Sequence, residues 1–106
     1  MAKPHAGETM RLDRYLWFVR LAKTRDIAQE MAEAGRMRLD GRLVERAHVA
    51  VRVGNILTFM KAGQVRVVRI EALPARRGPP HEAQLCYAEL ETMATKESES
   101  QKGSSD

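Results

Sequence analysis

From residue 10 onward the apolar positions switch period along the chain. In "MRLDRYLWFVRLA" (residues 10–22), Leu12, Tyr15, Leu16 and Val19 recur at helical spacing and share a face. This predicts a first helix, with Thr9 placed to cap it. Thr24 marks the start of a second helix, with Asp26 in its first turn and Gly35 just past its end. At 100° per residue, Ile27, Ala28, Met31, Ala32 and Ala34 form one arc, and Asp26, Gln29, Glu30 and Glu33 form the other.

After Gly35 the spacing changes to two. "RMRL" alternates basic and apolar residues, so Arg36 and Arg38 share a face opposite Met37 and Leu39. Asp40-Gly41 is a two-residue hairpin signal, and "RLV" returns. "NILTFM" and "QVRVVRIEAL" read as two further strands joined by "KAG", with Pro74 ending the second. "RRGPP" is a turn, and "HEAQLCYAEL" reads as a final helix whose Leu85 and Leu90 would pack back. The order α-α-β-β-β-β-α predicts an α+β fold.

Composition sets the limits of this domain. At 106 residues the chain predicts one domain over residues 10–91, a flexible N-terminus over 1–9 and a disordered tail over 92–106. The tail, "TMATKESESQKGSSD", lacks the apolar residues that would offset the entropy of ordering. No apolar run approaches the ~18 residues of a membrane span, and the first residues do not read as a secretory signal. A single cysteine, Cys86, excludes an internal disulfide and suits the cytoplasm. Net charge is +4 and the pI about 9.6, which favours polyanions such as RNA, DNA or an anionic surface. Five aromatic residues are too few for a base-stacking sheet.

The charge pattern narrows where a polyanion would sit. The polar arc of the second helix is acidic and would repel phosphate. The N-terminus of that helix offers free backbone N–H groups and the positive end of the dipole, with Lys23 and Arg25 beside it. Lys23, Thr24 and Arg25 therefore read either as a phosphate clamp or as an ordinary cap with solvated charges. Arg36, Arg38 and Arg42 project from the hairpin, either toward RNA or as charges that keep an edge strand from aggregating. Arg11 and Arg14 lie in the first helix, and Arg76 and Arg77 flank the "GPP" turn; each pair reads equally as binding or as surface charge. Asp13 beside two arginines is an ion-pair partner in preference to an acid catalyst. Trp17 lies off the main apolar arc and is expected to pack under the final helix. His5, His48 and His81 lack ligand spacing, so no metal or other cofactor is expected. The chain has no phosphate loop, nucleotide fingerprint or nucleophile–base motif.

The pattern "RLDRYLW..R..KTR..A.....G.....DG" resembles the RNA-binding domain first described in ribosomal protein S-four, the alpha-L motif. "RLDRYLWFVR", "KTRDIAQEMAEAG" and "RRGPPHEAQLCYAE" are similar to the stand-alone group around the bacterial fifteen-kilodalton heat-shock protein, over residues 10–91. The chain departs from that group at "ERAH", where Arg46 takes the place of a cation followed by proline and Ala47 replaces the proline. Tyr15 stands where Trp is common, and Phe18 where a small residue often does.

The resemblance implies two helices packed on a small, mostly antiparallel sheet, with the loop before the second helix and the hairpin after it facing RNA. It implies Arg11, Arg14, Lys23, Thr24, Arg25, the hairpin arginines and Arg46 as RNA contacts, and no enzymatic activity. The implied partners are ribosomal RNA of the large subunit and the tRNA held there, in rescue of stalled subunits. Two other readings stand beside it. One is the targeting module of an RNA-modifying enzyme, for which the length is expected to leave no catalytic domain. The other is a general nucleic-acid binder that takes DNA equally. Nothing in the sequence requires more than a monomer.

Overall fold

The computed structural model describes residues 8–94. In chain order the elements are β1 (Met10–Arg11), α1 (Leu12–Phe18), α2 (Arg25–Glu33), β2 (Arg38–Leu39), β3 (Arg42–Leu43), β4 (Ala50–Val51), β5 (Ile56–Lys61), β6 (Gln64–Ile70), α3 (Pro80–Gln84) and β7 (Tyr87–Ala94). Five strands form one antiparallel sheet in the order β3-β2-β5-β6-β7, and β1 pairs with β4 in a small second ladder. The fold is α+β, as its periodicities predict.

The predicted apolar face of α1 is the centre of the core. Leu12, Tyr15, Leu16 and Val19 are all buried, against Ala28 and Ala32 of α2 and Leu57, Phe59, Val68 and Ile70 of the sheet. Burying such side chains stabilises the fold by about 1.5–3 kcal/mol each. Small alanines on the inner face of α2 let the two helices approach closely. Ile27 and Ala34, at the margins of the predicted arc, are exposed.

Thr9 does not cap α1. Arg11 occupies the N-cap without a side-chain cap, and the first two N–H groups go to the 47–49 loop: Leu12 N donates to Val49 O at 2.9 Å and Asp13 N to Ala47 O at 3.0 Å. The strand β1 runs into the helix there, so tertiary acceptors take the place of a cap. The helix also stops earlier than the sequence pattern. It ends at Phe18, and Arg20 adopts a left-handed φ of 64°. The N–H groups of Leu21 and Ala22 turn back to Leu16 O at 3.0 and 3.1 Å, which buries both side chains in the core.

The hairpin behaves as its turn residues require. Asp40 and Gly41 have φ of 51° and 86°, the two positive values that a tight turn of this hand needs. Asp40 is fixed further by its carboxylate, which accepts from Asn55 Nδ2 at 2.7 Å and Ile56 N at 2.8 Å.

The expected C-terminal helix is the main correction. Only its first turn, Pro80–Gln84, is helical; Tyr87–Ala94 is a strand paired with β6. Without β7 the inner strand β6 would present a bare edge, and pairing satisfies its backbone. The Glu-rich strand also offers Glu89 to Arg66, which makes an ion pair across the ladder. Leu85 and Leu90, expected to pack back, are 75% and 45% exposed. The ordered domain therefore passes the predicted boundary at Glu91, and the remainder of the predicted tail, 95–106, lies outside the described residues, as do residues 1–7.

Candidate nucleic-acid interface

The start of α2 is built by its cap. Thr24 has extended backbone angles, and its hydroxyl accepts from Ile27 N at 3.1 Å. The N–H groups of the first turn and the positive dipole end face outward there, flanked by exposed Lys23 and Arg25.

Trp17 and the "RRGPP" turn complete this corner. Arg25 and Arg77 both place their guanidinium carbon 5.7 Å from the Trp17 ring centre. Arg77 Nε donates to Trp17 O at 3.1 Å, and its Nη2 to Lys23 O at 3.4 Å. In return, Arg20 Nε donates to Gly78 O at 2.7 Å. The α1–α2 loop and the 75–79 turn thus hold each other by reciprocal arginine–carbonyl bonds. Trp17 is half-buried, packed on the core and against Phe18 and these arginines. The effect is to hold Arg25 and Arg77 in place beside Lys23, three cations drawn from two distant stretches of chain.

The hairpin arginines divide. Arg36 and Arg38 are exposed, opposite buried Met37 and half-buried Leu39. Arg42 pairs with Leu39 and so lies on the other face from Arg38, which pairs with Leu43. Arg38 also donates to Gly41 O at 3.3 Å. Arg42 and Arg46 rim a groove of about 400 Å³ floored by Leu39, Leu43, Val44 and Val49. Arg36 shares a concavity with Met60 and with Glu30, Met31 and Ala34 at the C-terminal end of α2, the opposite end of that helix from its capped start.

The remaining predicted cations lie apart. Arg11 is committed to Asp13 through two hydrogen bonds, Nε to Oδ1 at 3.0 Å and Nη2 to Oδ2 at 2.8 Å. Asp13 is a buried ion-pair partner, as expected: burial works to raise its pKa, but Arg11, the Arg14 N–H and Gln29 outweigh this and hold it below the usual carboxylate value. The same pairing raises Arg11 further. Arg14 is exposed and faces Thr9, Leu73 and Pro74. Arg76 pairs with Glu82 at 3.3 Å. Arg77 alone of the two joins the α2 corner.

Two participants escaped the sequence reading. Arg20 carries a left-handed backbone that no motif announces, and Lys61 Nζ donates to Leu21 O at 2.8 Å across 40 residues of sequence. A lysine at a strand end next to a turn was the only signal for Lys61. Among the described residues no group of three or more His, Cys, Asp or Glu could hold a metal, and no helix is long and apolar enough to cross a membrane.

The S4 domain family model matches residues 10–57. The chain is 39% identical over 97 residues to the heat shock protein 15 homolog of Haemophilus influenzae, covering 89% of this chain and 71% of that one. It is 35% identical to heat shock protein 15 of Escherichia coli, spanning 76% of this chain and 59% of that protein's length. An RQC P-site tRNA stabilizing factor of Listeria innocua is 37% identical over 61% of this chain and 70% of its own. The trimeric structure of Vibrio cholerae heat shock protein 15 superposes with a TM-score of 0.71 at 28% identity, covering 92% of this chain and 93% of that one.

Proposed function

The chain belongs to the heat shock protein 15 family and carries its S4-type RNA-binding domain, and from that premise we propose that it docks on ribosomal RNA of the large subunit and assists rescue of stalled subunits. The observation that carries the proposal is the α2 corner. There the capped helix start, Lys23 and Arg25 form one cationic surface with Arg77, which is held by bonds to Trp17 O and Lys23 O. Guanidinium and ammonium groups fixed beside open backbone N–H groups match RNA phosphate. Arg36 and Arg38 on the hairpin supply further exposed cations, and contacts of this kind read backbone shape more than base identity.

The similarity to a P-site tRNA stabilizing factor supports tRNA on the subunit as a second partner. The proposed surface lies within one chain, so a monomer suffices for it, although the Vibrio relative is trimeric in its solved structure. Its mode of action is electrostatic docking without chemistry.

Co-sedimentation with ribosomal fractions tests the reading. Wild-type protein is expected to pellet with large subunits, more so when they carry peptidyl-tRNA, and to lose affinity steeply with salt. Lys23→Ala combined with Arg25→Ala is expected to weaken pelleting while the protein stays folded. A double variant that binds as wild type would refute the site. Equal affinity for duplex DNA and for both subunits would reduce the protein to a general polyanion binder.

A further inference from the structure

The S4 domain match ends at residue 57, just inside β5, yet the far end of the β5–β6 hairpin reaches the loop that opens α2. Lys61, the last residue of β5, donates from Nζ to Leu21 O at 2.8 Å, two residues before Lys23. An ammonium has three donor directions, and one is used here. The acceptor is a backbone carbonyl, so this bond leaves the charge of Lys61 uncompensated. Burial, then the like charges of Arg66 and Lys23, hold the Lys61 pKa below that of an ordinary lysine. Arg66 differs, because Glu89 takes up its charge. The turn beyond Lys61 carries only Ala62 and Gly63, with φ of 54° and 77°, and Lys61 as a residue is exposed.

Resting on the RNA reading above, we propose that Lys61 and Lys23 form a phosphate subsite, which makes the β5–β6 hairpin a second wall of the RNA-binding surface. A phosphate seated there would relieve the repulsion between the two ammonium groups. It would also extend the cationic corner that Arg25, Arg77 and Lys23 form at the start of α2. Folded RNA fits this corner because its backbone presents successive phosphates.

The test uses the full chain and purified large ribosomal subunits over a range of potassium chloride. Removing one phosphate contact makes the dependence of log affinity on log salt shallower by about 0.7–0.9, which is about a five- to eightfold loss at 0.1 M salt. Lys61→Met is expected to show both changes, and Lys61→Arg to keep wild-type behaviour. In the wild type, acetylation of Lys61 by an amine-reactive ester should slow when subunits are present, a readout that needs no variant to fold. Unchanged affinity and unprotected Lys61 would overturn the subsite. Weaker binding with an unchanged salt slope would overturn it too, leaving Lys61 as a brace for the Leu21–Lys23 loop. If the wild-type protein itself fails to bind large subunits, the RNA reading fails; if the wild type binds them and Lys61→Met binds equally well with the same salt slope, the subsite alone fails.

Discussion

Arg77 lies over the Trp17 ring, 5.7 Å from its centre, and donates to the carbonyl of that same residue at 3.1 Å. One side chain therefore fixes another residue's ring and backbone together. The consequence is a rigid corner in which the α1–α2 loop cannot move without the 75–79 turn. Arg77→Ala removes a cation–π contact and two charge-assisted bonds to carbonyls, and is expected to cost about 2 kcal/mol of stability. Trp17 is the sole tryptophan, so its fluorescence reports the urea transition directly. Arg76→Ala is the control: its solvent-exposed pair with Glu82 should contribute less than about 1 kcal/mol.

Asp13 makes stability fall in acid. Its folded pKa lies below the unfolded value, because Arg11, the Arg14 N–H and Gln29 outweigh the cost of burial. The unfolded chain therefore takes up the proton first as pH drops. The stabilisation is complete above the ordinary carboxylate value of about 4 and is lost as pH falls through the lower folded value. Asp13→Asn should flatten this acid limb and lower stability at pH 7 by about 1–3 kcal/mol, since it breaks the forked pair with Arg11. Denaturation midpoints between pH 2 and 7 on both proteins check it; parallel curves would refute the assignment.

The parts of this fold that depend on neighbours in sequence were legible. Thr24 as a cap, Gly35 past a helix end, Asp40-Gly41 as a turn and the buried faces of both helices all follow from local periodicity and backbone chemistry. The misreadings share one cause, which is a long-range partner. "CYAEL" has helical spacing of apolar residues, but the unpaired edge of β6 captures it as a strand. Thr9 is a good cap residue, but the 47–49 loop supplies the acceptors first. At the interface, Lys23 and Arg25 are visible from sequence because they flank a cap. Arg77, Arg20 and Lys61 matter through carbonyls 40 to 60 residues away, and no spacing rule encodes such bonds.

Thr24 separates the cap from any RNA contact. Its Oγ1 accepts from Ile27 N at 3.1 Å, so Thr24→Ala leaves that N–H to water and is expected to cost about 1 kcal/mol. Thr24→Ser keeps the acceptor and should restore stability. If Thr24 acts only by ordering the helix start, the salt slope of subunit binding should stay at the wild-type value in both variants. A shallower slope in Thr24→Ala would mean that the helix start loses a phosphate contact along with its cap.

Tyr15 ties α1 to the entry of β7. Its buried hydroxyl donates to Cys86 O at 2.7 Å, and that carbonyl also accepts from Glu71 N at 2.8 Å and Ala72 N at 3.2 Å. Tyr15→Phe removes the donor but leaves the acceptor satisfied, so the cost should be modest, about 1 kcal/mol. The same burial pushes the phenol pKa well above its ordinary value, with smaller contributions from Cys86, Tyr87 and Glu71. Above pH ~10 the unfolded chain releases this proton while the folded protein keeps it. Stability therefore falls as pH rises through that range, and Tyr15→Phe should remove that part of the fall. Unfolding in urea at pH 8 and pH 11 compares the two proteins. An equal loss of stability between the two pH values in wild type and variant would show that the buried phenol is not the group responsible.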